Sequence, residues 1–243
     1  MNFLLMIYNL VLSLGVLPIC VLLYLKQSLA YYVGHGTVMY CGFLDATKTF
    51  DRVNYCKHFR LLMKRHLPVY IIRVLLTFYI FNFVRVSLCG FFSDYFVAAN
   101  GVKQGGVLLF CVYLDGLLLA MSNSHVGCFT GDVFTGALAY ADDIVLSAPS
   151  ASALRNMLAV CDKYAVDFDM LFNADKSKCM IVLPPSRRYF ESLLSSIDFM
   201  IGGKKIVSSY SHLGHIIAST AAGCLDVAKR QHDFNFNFNF KSS

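Results

Sequence analysis

The sequence predicts an α+β fold, and three observations support that prediction. Apolar residues recur at helical spacing in several stretches of the chain. Other short runs are β-prone and are bounded by turn residues. The helical and strand patterns follow one another without the strict alternation that a doubly wound parallel sheet requires. With 57% hydrophobic and 15% charged residues, a chain of 243 residues can bury a sizeable core.

The individual elements follow from local patterns. The helices predicted from apolar spacing are residues 53–66, 69–82, 107–121 and 151–168. The strands predicted from β-prone runs are residues 37–45, 83–90, 94–99, 177–183 and 212–218. Pro68 separates the first two helices, because proline lacks the amide that a helix interior needs. Gly105 and Gly106 precede the third helix and allow another group to approach the backbone closely.

One further pair of strands is predicted in the stretch LAYADDIVLSA, residues 138–148. Neighbouring residues of a strand point to opposite faces, so a continuous strand would drive Asp142 or Asp143 toward a core. A hairpin avoids this by setting both acids at its turn. Two adjacent carboxylates repel each other, and we therefore expect a cation close to them.

Charge and cysteine content limit the possible classes of function. The net charge of +6 permits a polyanionic partner without requiring one. The nine cysteines are scattered and contain no C-x-x-C pair, which argues against a disulfide framework or a zinc module and favours a reducing compartment. His212 and His215 are three residues apart, but no cysteine or acid at ligand spacing accompanies them, so a structural role is favoured.

Both ends of the chain differ from its middle, and they set the predicted domain bounds. Residues 3–25 carry no charge and are long enough to span a bilayer as a helix. A buried helix and a segment outside any domain are the alternatives. Residues 233–243 read DFNFNFNFKSS, a low-complexity run to which we assign no function. We therefore predict an apolar segment at 1–29, a main domain at 30–230 and a tail at 231–243.

Three segments in the middle of the chain combine acids, glycines and polar residues. FLDATKTFDRV, residues 43–53, places Asp45 at the end of a predicted strand, where it is either a metal ligand at the sheet rim or a solvated strand end. NGVKQGGVLLF, residues 100–110, supplies a turn, a lysine and an amide before a helix. The paired acids at 142–143 suit magnesium, which favours carboxylate oxygens and substrate phosphates. Each segment alone has an ordinary structural explanation, whereas their order together is specific.

In this order the three segments resemble the reverse transcriptase palm of non-LTR (LINE-type, jockey-like) retrotransposons. That family carries a motif like FLDASKAFDRV, then one like NGVRQGGVLSP, and then YADD, which stands here at residues 140–143. Later matches are APSASAL, FNADKSKCMIV at 172–182 and YSHLGHII at 210–217. The resemblance covers residues 30–230 and implies an antiparallel sheet with helices packed on one face.

The resemblance also implies a role for each matching residue. Asp45 and Asp142 would hold the catalytic metals, with Asp143 beside the primer end as a further ligand. Lys176 would lie near the leaving pyrophosphate as a catalytic proton donor, or else be a solvated loop lysine. Phe50 matches the bulky residue that excludes ribonucleotides, and a core aromatic is the alternative. The residues expected to contact nucleotide or template are Phe50, Gln104, Gly105 and Tyr140. The residues expected to position the primer are His212, Leu213 and Gly214.

The activity implied by the resemblance is RNA-directed DNA polymerisation. A primer 3′-hydroxyl attacks a nucleoside triphosphate, with two Mg²⁺ ions, or Mn²⁺, as cofactors. The implied partners are an RNA template, a DNA primer and dNTPs. The family is expected inside the cell, in cytoplasm or nucleus, unless residues 3–25 anchor the chain to a membrane.

Two departures from the family pattern bear on that activity. Only 44 residues precede Asp45, which is too few for the family's fingers, and the chain ends soon after the primer-positioning segment, where the thumb is expected. We therefore predict truncated fingers and thumb. The alternatives to an active polymerase are a non-catalytic palm that binds nucleic acid or a partner, and a membrane-anchored protein.

Overall fold

The computed structural model describes residues 18–46, 53–97, 107–185, 200–201 and 204–219. Within them helices and strands are mixed, which confirms the predicted α+β fold. The helices are α1 (Pro18–Gly34), α2 (Tyr55–Lys64), α3 (Val69–Ile80), α4 (Val107–Asn123) and α5 (Ala151–Phe168). The strands are β1 (Met39–Asp45), β2 (Phe83–Val84), β3 (Ser87–Leu88), β4 (Phe91–Phe92), β5 (Phe96–Val97), β6 (Phe129–Thr130), β7 (Val133–Phe134), β8 (Ala137–Tyr140), β9 (Asp143–Ala148), β10 (Lys178–Val182), β11 (Met200–Ile201), β12 (Lys204–Ile206), β13 (Ser209–His212) and β14 (His215–Ala218).

Six strands form the main sheet, in the order β11-β12-β10-β1-β9-β8. β1 lies between β10 and β9 and runs antiparallel to both, whereas β10 and β12 are parallel. β8 and β9 form the hairpin predicted for the acid-bearing stretch. In the register of this sheet, Phe43 of β1 lies opposite Val145 of β9 and Lys178 of β10. That register decides which side chains share a face.

β1 is buried on both of its sides, so both faces of the main sheet are covered. Met39, Cys41 and Phe43 pack with α1 in one apolar cluster. Leu44 belongs to a second cluster, on the opposite face, which includes residues of α4 and α5. The prediction that helices pack on one face is therefore wrong, since apolar residues at alternate positions of β1 require a cover on each side. Gly42 lets α5 come close, because an added Cβ would lie 3.3 Å from the Leu154 side chain.

Helix α1 is buried on one side, and it continues across the predicted domain boundary between residues 29 and 30. The apolar residues that it packs against the sheet are all at most 5% exposed: Val21, Leu22, Leu25, Leu29 and Val33. Among the described residues, no helix has the length and apolar character needed to cross a membrane. Residues 1–17, which hold most of the predicted 3–25 span, lie outside the described residues, as does the tail at 231–243.

Helix α5 forms over the whole predicted range 151–168, because both of its ends carry capping signals. The Ser150 hydroxyl accepts a hydrogen bond from the Ala153 N–H at 3.1 Å. At the other end Asp169 adopts a left-handed conformation, and its N–H donates to the Ala165 carbonyl. Helices α2 and α3 confirm the predicted helices at 53–66 and 69–82, although both are a few residues shorter.

Two of the predicted strands are wrong, because each contains a turn. Within 83–90 the chain reverses at Cys89 and Gly90, so that β3 pairs with β4 and β2 pairs with β5. Within 212–218 it reverses at Leu213 and Gly214, so that β13 pairs with β14. All four turn residues have φ between 49° and 86°. Two-residue hairpin turns with this geometry match the twist of the flanking strands.

Candidate active site

Three acids lie at one end of the main sheet, where β1 ends and the β8–β9 hairpin turns. Asp45 is the last residue of β1 and Asp143 the first of β9, and the two are register partners. Directly opposed residues on antiparallel strands project to the same side, so both carboxylates share one face of the sheet. Asp142 occupies the turn that precedes β9. The hairpin is confirmed, but only one of the two adjacent acids lies in its turn.

The turn that carries Asp142 is tied to the end of β1. The Asp142 carbonyl accepts a hydrogen bond from the Ala46 N–H at 3.2 Å. Ala141 has a φ of 50°, a left-handed conformation that costs a residue with a Cβ roughly 1 kcal/mol. Such a conformation persists only where the surrounding structure holds it. The bond to Ala46 supplies part of that support and keeps the turn beside Asp45.

The arrangement disfavours the charged form of the Asp143 carboxyl. Partial burial, together with the negative charges of Asp142 and Asp45, raises the pKa of the Asp143 carboxyl above its usual range. The Lys176 ammonium opposes that rise. Lys176 is thus the cation expected beside the paired acids.

Lys176 reaches Asp45 from the loop before β10. Its Nζ lies 3.7 Å from Asp45 Oδ1, and its side chain is 65% exposed and so accessible to a ligand. The Asp45 backbone fixes the loop, because its carbonyl accepts from the Asn173 N–H at 2.8 Å and its N–H donates to Ser177 Oγ at 3.2 Å. Asn173 Oδ1 in turn accepts from the N–H groups of Asp175 and Lys176. The loop is therefore preorganised around Asp45.

Tyr210 belongs to the same site, although sequence reasoning did not single it out. Its ring stacks on Phe43 with 4.4 Å between the ring centroids. Its hydroxyl donates to the Lys176 carbonyl at 3.3 Å. Partial burial and the charges of Asp143 and Asp45 raise the pKa of the Tyr210 phenol, so the hydroxyl keeps its proton at neutral pH.

The predicted primer-positioning residues divide between the core and a turn. His212 is 2% exposed, and its ring centroid lies 5.6 Å from that of Phe43. Burial lowers the pKa of His212 to about 4, so the imidazole is a neutral core group. Leu213 and Gly214 form the turn between β13 and β14. Tyr210 precedes His212 by two residues on β13 and so shares its face, and this alternation was the available signal for finding it.

The structure brings five of the predicted site residues to the same end of the sheet. Tyr140 is among them, because it is the register partner of Asp143 in the β8–β9 hairpin. The full set is Asp45, Tyr140, Asp142, Asp143 and Lys176. Three further predicted residues lie outside the described residues: Phe50, Gln104 and Gly105.

The acid end of the sheet offers the ligands that a divalent cation such as Mg²⁺ prefers. Asp45 and Asp143 present carboxylate oxygens on one face, and Asp142 adjoins them in the turn. Over the described residues, no group of three or more His, Cys, Asp or Glu side chains is arranged to hold a metal ion. The donor chemistry fits a divalent cation through the facing pair of carboxylates.

Comparison with known proteins identifies one family. The family model for the reverse transcriptase (RNA-dependent DNA polymerase) matches residues 24–217. Over 178 residues the chain is 29% identical to the retrovirus-related Pol polyprotein from the type-2 retrotransposable element R2DM of Drosophila melanogaster, a match that covers 72% of this chain. Over 180 residues it is 24% identical to the corresponding polyprotein from the type-1 retrotransposable element R2 of Nasonia vitripennis, over 73% of this chain. Each match spans 17% of the length of the relative.

Proposed function

This chain belongs to the reverse transcriptase family, as a part of a non-LTR retrotransposon reverse transcriptase, and we propose that the acid end of its main sheet is the centre of an RNA-directed DNA polymerase. The observation that supports this most is the pairing of Asp45 with Asp143 beside the turn that carries Asp142. The proposed substrates are an RNA template, a DNA primer and dNTPs. The main sheet with its helices would then be the palm.

Asp45 and Asp143 are proposed to hold the divalent cations of the reaction, two Mg²⁺ ions or Mn²⁺. Asp142 is proposed to join this pair from the adjoining turn when a cation binds, since the described residues include no ready-made group of three ligands. Bound there, such cations supply charge neutralisation for the attacking 3′-oxygen and for the triphosphate. Asp45 and Asp143 stand at the ends of packed strands, so their positions are set before any substrate arrives. Partial burial and the negative charges of Asp142 and Asp45 raise the pKa of Asp143, which supports cation binding, because a positive neighbour would stabilise the charged form of such a carboxyl.

Lys176 is proposed to assist the leaving group. Its exposed ammonium, held near Asp45, can place positive charge and a transferable proton beside the pyrophosphate. Tyr210 bonds the Lys176 backbone and is a positioning residue in this scheme. Tyr140 and the Leu213–Gly214 turn are proposed to contact nucleotide and primer. The corresponding roles for Phe50, Gln104 and Gly105 are proposed from the motif resemblance alone.

Primer extension by the full chain tests the proposal. With an RNA template, a labelled DNA primer, dNTPs and Mg²⁺ at low salt, the wild-type chain should extend the primer. Asp45→Asn should lower the rate about a hundredfold or more, because it removes one of the facing carboxylates. Asp132→Asn is the matched control, since Asp132 is exposed in the turn between β6 and β7.

Two outcomes would contradict the proposal in different ways. Equal rates of primer extension by wild type and Asp45→Asn would show that the reaction does not depend on the facing carboxylates. A folded chain that binds template and primer, yet extends with neither Mg²⁺ nor Mn²⁺, would favour the alternative of a non-catalytic protein that binds nucleic acid.

A further inference from the structure

A second surface of the molecule lies on α3 and the short strands that follow it, which are elements that do not carry the acids. The sequence of α3 is strongly apolar, yet none of its residues is buried. The residues that it packs toward α2 recur at helical spacing: Ile72, Leu75 and Tyr79. The other side of α3 remains open to solvent.

The exposed residues of this region are rich in aromatic rings. Eight rings between residues 69 and 97 are at least 50% exposed, and we call them the aromatic surface: Tyr70, Phe78, Phe81, Phe83, Phe91, Phe92, Tyr95 and Phe96. The end of α3 and the start of β2 line an open cavity of about 420 Å³, with Phe78, Phe81 and Phe83 in its wall. Exposed apolar surface on this scale is typical of a binding site.

The same part of the chain carries most of the net positive charge. Residues 53–97 contain six Lys or Arg residues and one Asp, a net +5 of the +6 on the whole chain. Two of the cations, Lys57 and Arg65, form ion pairs within the protein. The other four are exposed: Arg60, Lys64, Arg73 and Arg85.

Arg85 shows how a cation and the rings are arranged here. Its guanidinium carbon lies 3.9 Å from the centroid of the Phe92 ring and 5.3 Å from that of the Tyr95 ring. A guanidinium stacked in this way directs its N–H groups along its edge, where they suit phosphate oxygens. Arg85 thus presents a phosphate-binding group next to flat aromatic faces.

We propose that the aromatic surface, together with the four exposed cations, binds single-stranded nucleic acid by stacking its bases and pairing its phosphates. Proteins that bind single strands combine these two features. A duplex keeps its base faces inside the stack, so it would meet the cations but not the rings. An apolar protein partner would cover the cations, and unpaired charges are costly to remove from water. The inference goes beyond the proposed polymerase centre and does not require the chain to be active.

Binding of the full chain to a fluorescein-labelled single-stranded RNA of about 20 nucleotides, followed by anisotropy from ~50 to ~200 mM salt, tests the electrostatic part. Arg73→Gln with Arg85→Gln should lower the affinity about tenfold. The slope of log affinity against log salt should become shallower by about 1.4, because two phosphate contacts are lost.

A second pair and a charge-matched control keep that result interpretable. Arg60→Gln with Lys64→Gln, on α2, should reproduce the loss of affinity and slope even if the loss of Arg85 disturbs the short strands. Arg155→Gln with Lys163→Gln removes the same charge from exposed positions of α5 and should leave affinity and slope at the wild-type values.

Replacement of two exposed rings tests the stacking part. Phe78→Leu with Phe91→Leu keeps apolar side chains but removes the flat faces, so affinity for the single strand should fall about tenfold with the salt slope unchanged. A duplex RNA of the same length should bind this variant as tightly as it binds the wild-type chain.

Several results would overturn the inference. Equal loss in the α5 control, wild-type affinity in both cation variants, or wild-type affinity in the leucine variant would each do so. The same holds if the variants keep RNA affinity but lose self-association or binding to vesicles that contain phosphatidylserine. Primer extension is measured separately. A chain that binds RNA through this surface but does not extend primers would contradict the proposed polymerase centre and would still support the present inference.

Discussion

The acid end of the main sheet and the aromatic surface are built in opposite ways. β1 and β9 are buried almost throughout, and backbone hydrogen bonds hold both Asp45 and Asp142 in place. Residues 83–97 instead form two-residue ladders whose side chains are mostly exposed. Burial supplies most of the free energy of folding, so the fold depends on the first region far more than on the second. The side chains of the aromatic surface therefore remain available for a ligand, because the core does not need them.

The largest expected effect separates the two regions by stability. Leu146→Ala on β9 should lower the free energy of unfolding by about 2–5 kcal/mol, because the side chain is fully buried and its truncation leaves a cavity. Phe91→Ala should change it by less than about 0.5 kcal/mol, because Phe91 is 81% exposed. Chemical denaturation of both variants measures the difference. Similar losses in the two variants would show that the short strands are part of the core and that the two regions are not built in opposite ways.

The second expected effect is a pH dependence of the stability of the fold that arises from Asp143. A carboxyl with a raised pKa holds its proton more readily in the folded than in the unfolded chain. The free energy of unfolding therefore falls as the pH rises from the ordinary aspartate pKa through the raised pKa of the folded chain. Asp143→Asn removes this penalty. The variant should therefore melt at a higher temperature than wild type at pH 7, and the difference should vanish below the ordinary aspartate pKa of 3.8. Its primer extension should fall, so stability and activity should move in opposite directions.

Asp94→Asn is the matched control for that experiment, because Asp94 is exposed in the segment between β4 and β5. Its melting temperature should follow wild type at both pH values. A lower melting temperature for Asp143→Asn at pH 7 would contradict the view that the charged Asp143 carboxylate destabilises the folded chain.

The smallest expected effect tests the support that Tyr210 gives to Lys176. Tyr210→Phe keeps the ring on Phe43 but removes one hydrogen bond, so the free energy of unfolding should fall by about 0.5–1.5 kcal/mol. If the bond positions Lys176, kcat for nucleotide incorporation should fall while KM stays nearly constant. Tyr70→Phe, exposed on α3, is the control. An unchanged kcat in Tyr210→Phe would show that Lys176 needs no such support.

Sequence reasoning succeeded where local chemistry decides the structure. Ser150 caps α5 with its hydroxyl, and the helix ends at the predicted residue. The strand that ends at Asp45 and the hairpin around Asp142 also follow from local patterns of apolar and polar residues. It failed at the Leu213–Gly214 and Cys89–Gly90 turns, because leucine and cysteine seldom adopt positive φ and so give no turn signal of their own.

Periodicity, composition and motif order were enough to establish the α+β class, the family and the acids that the chain offers, because each is a property of a short stretch or of the order of stretches. Folding in three dimensions was needed to pair Asp45 with Asp143, to bring Tyr210 to Lys176 and to lay α1 over the second face of the sheet. These relations join residues that are far apart in the chain. They depend on strand register and on side-chain packing between elements, neither of which any local pattern specifies.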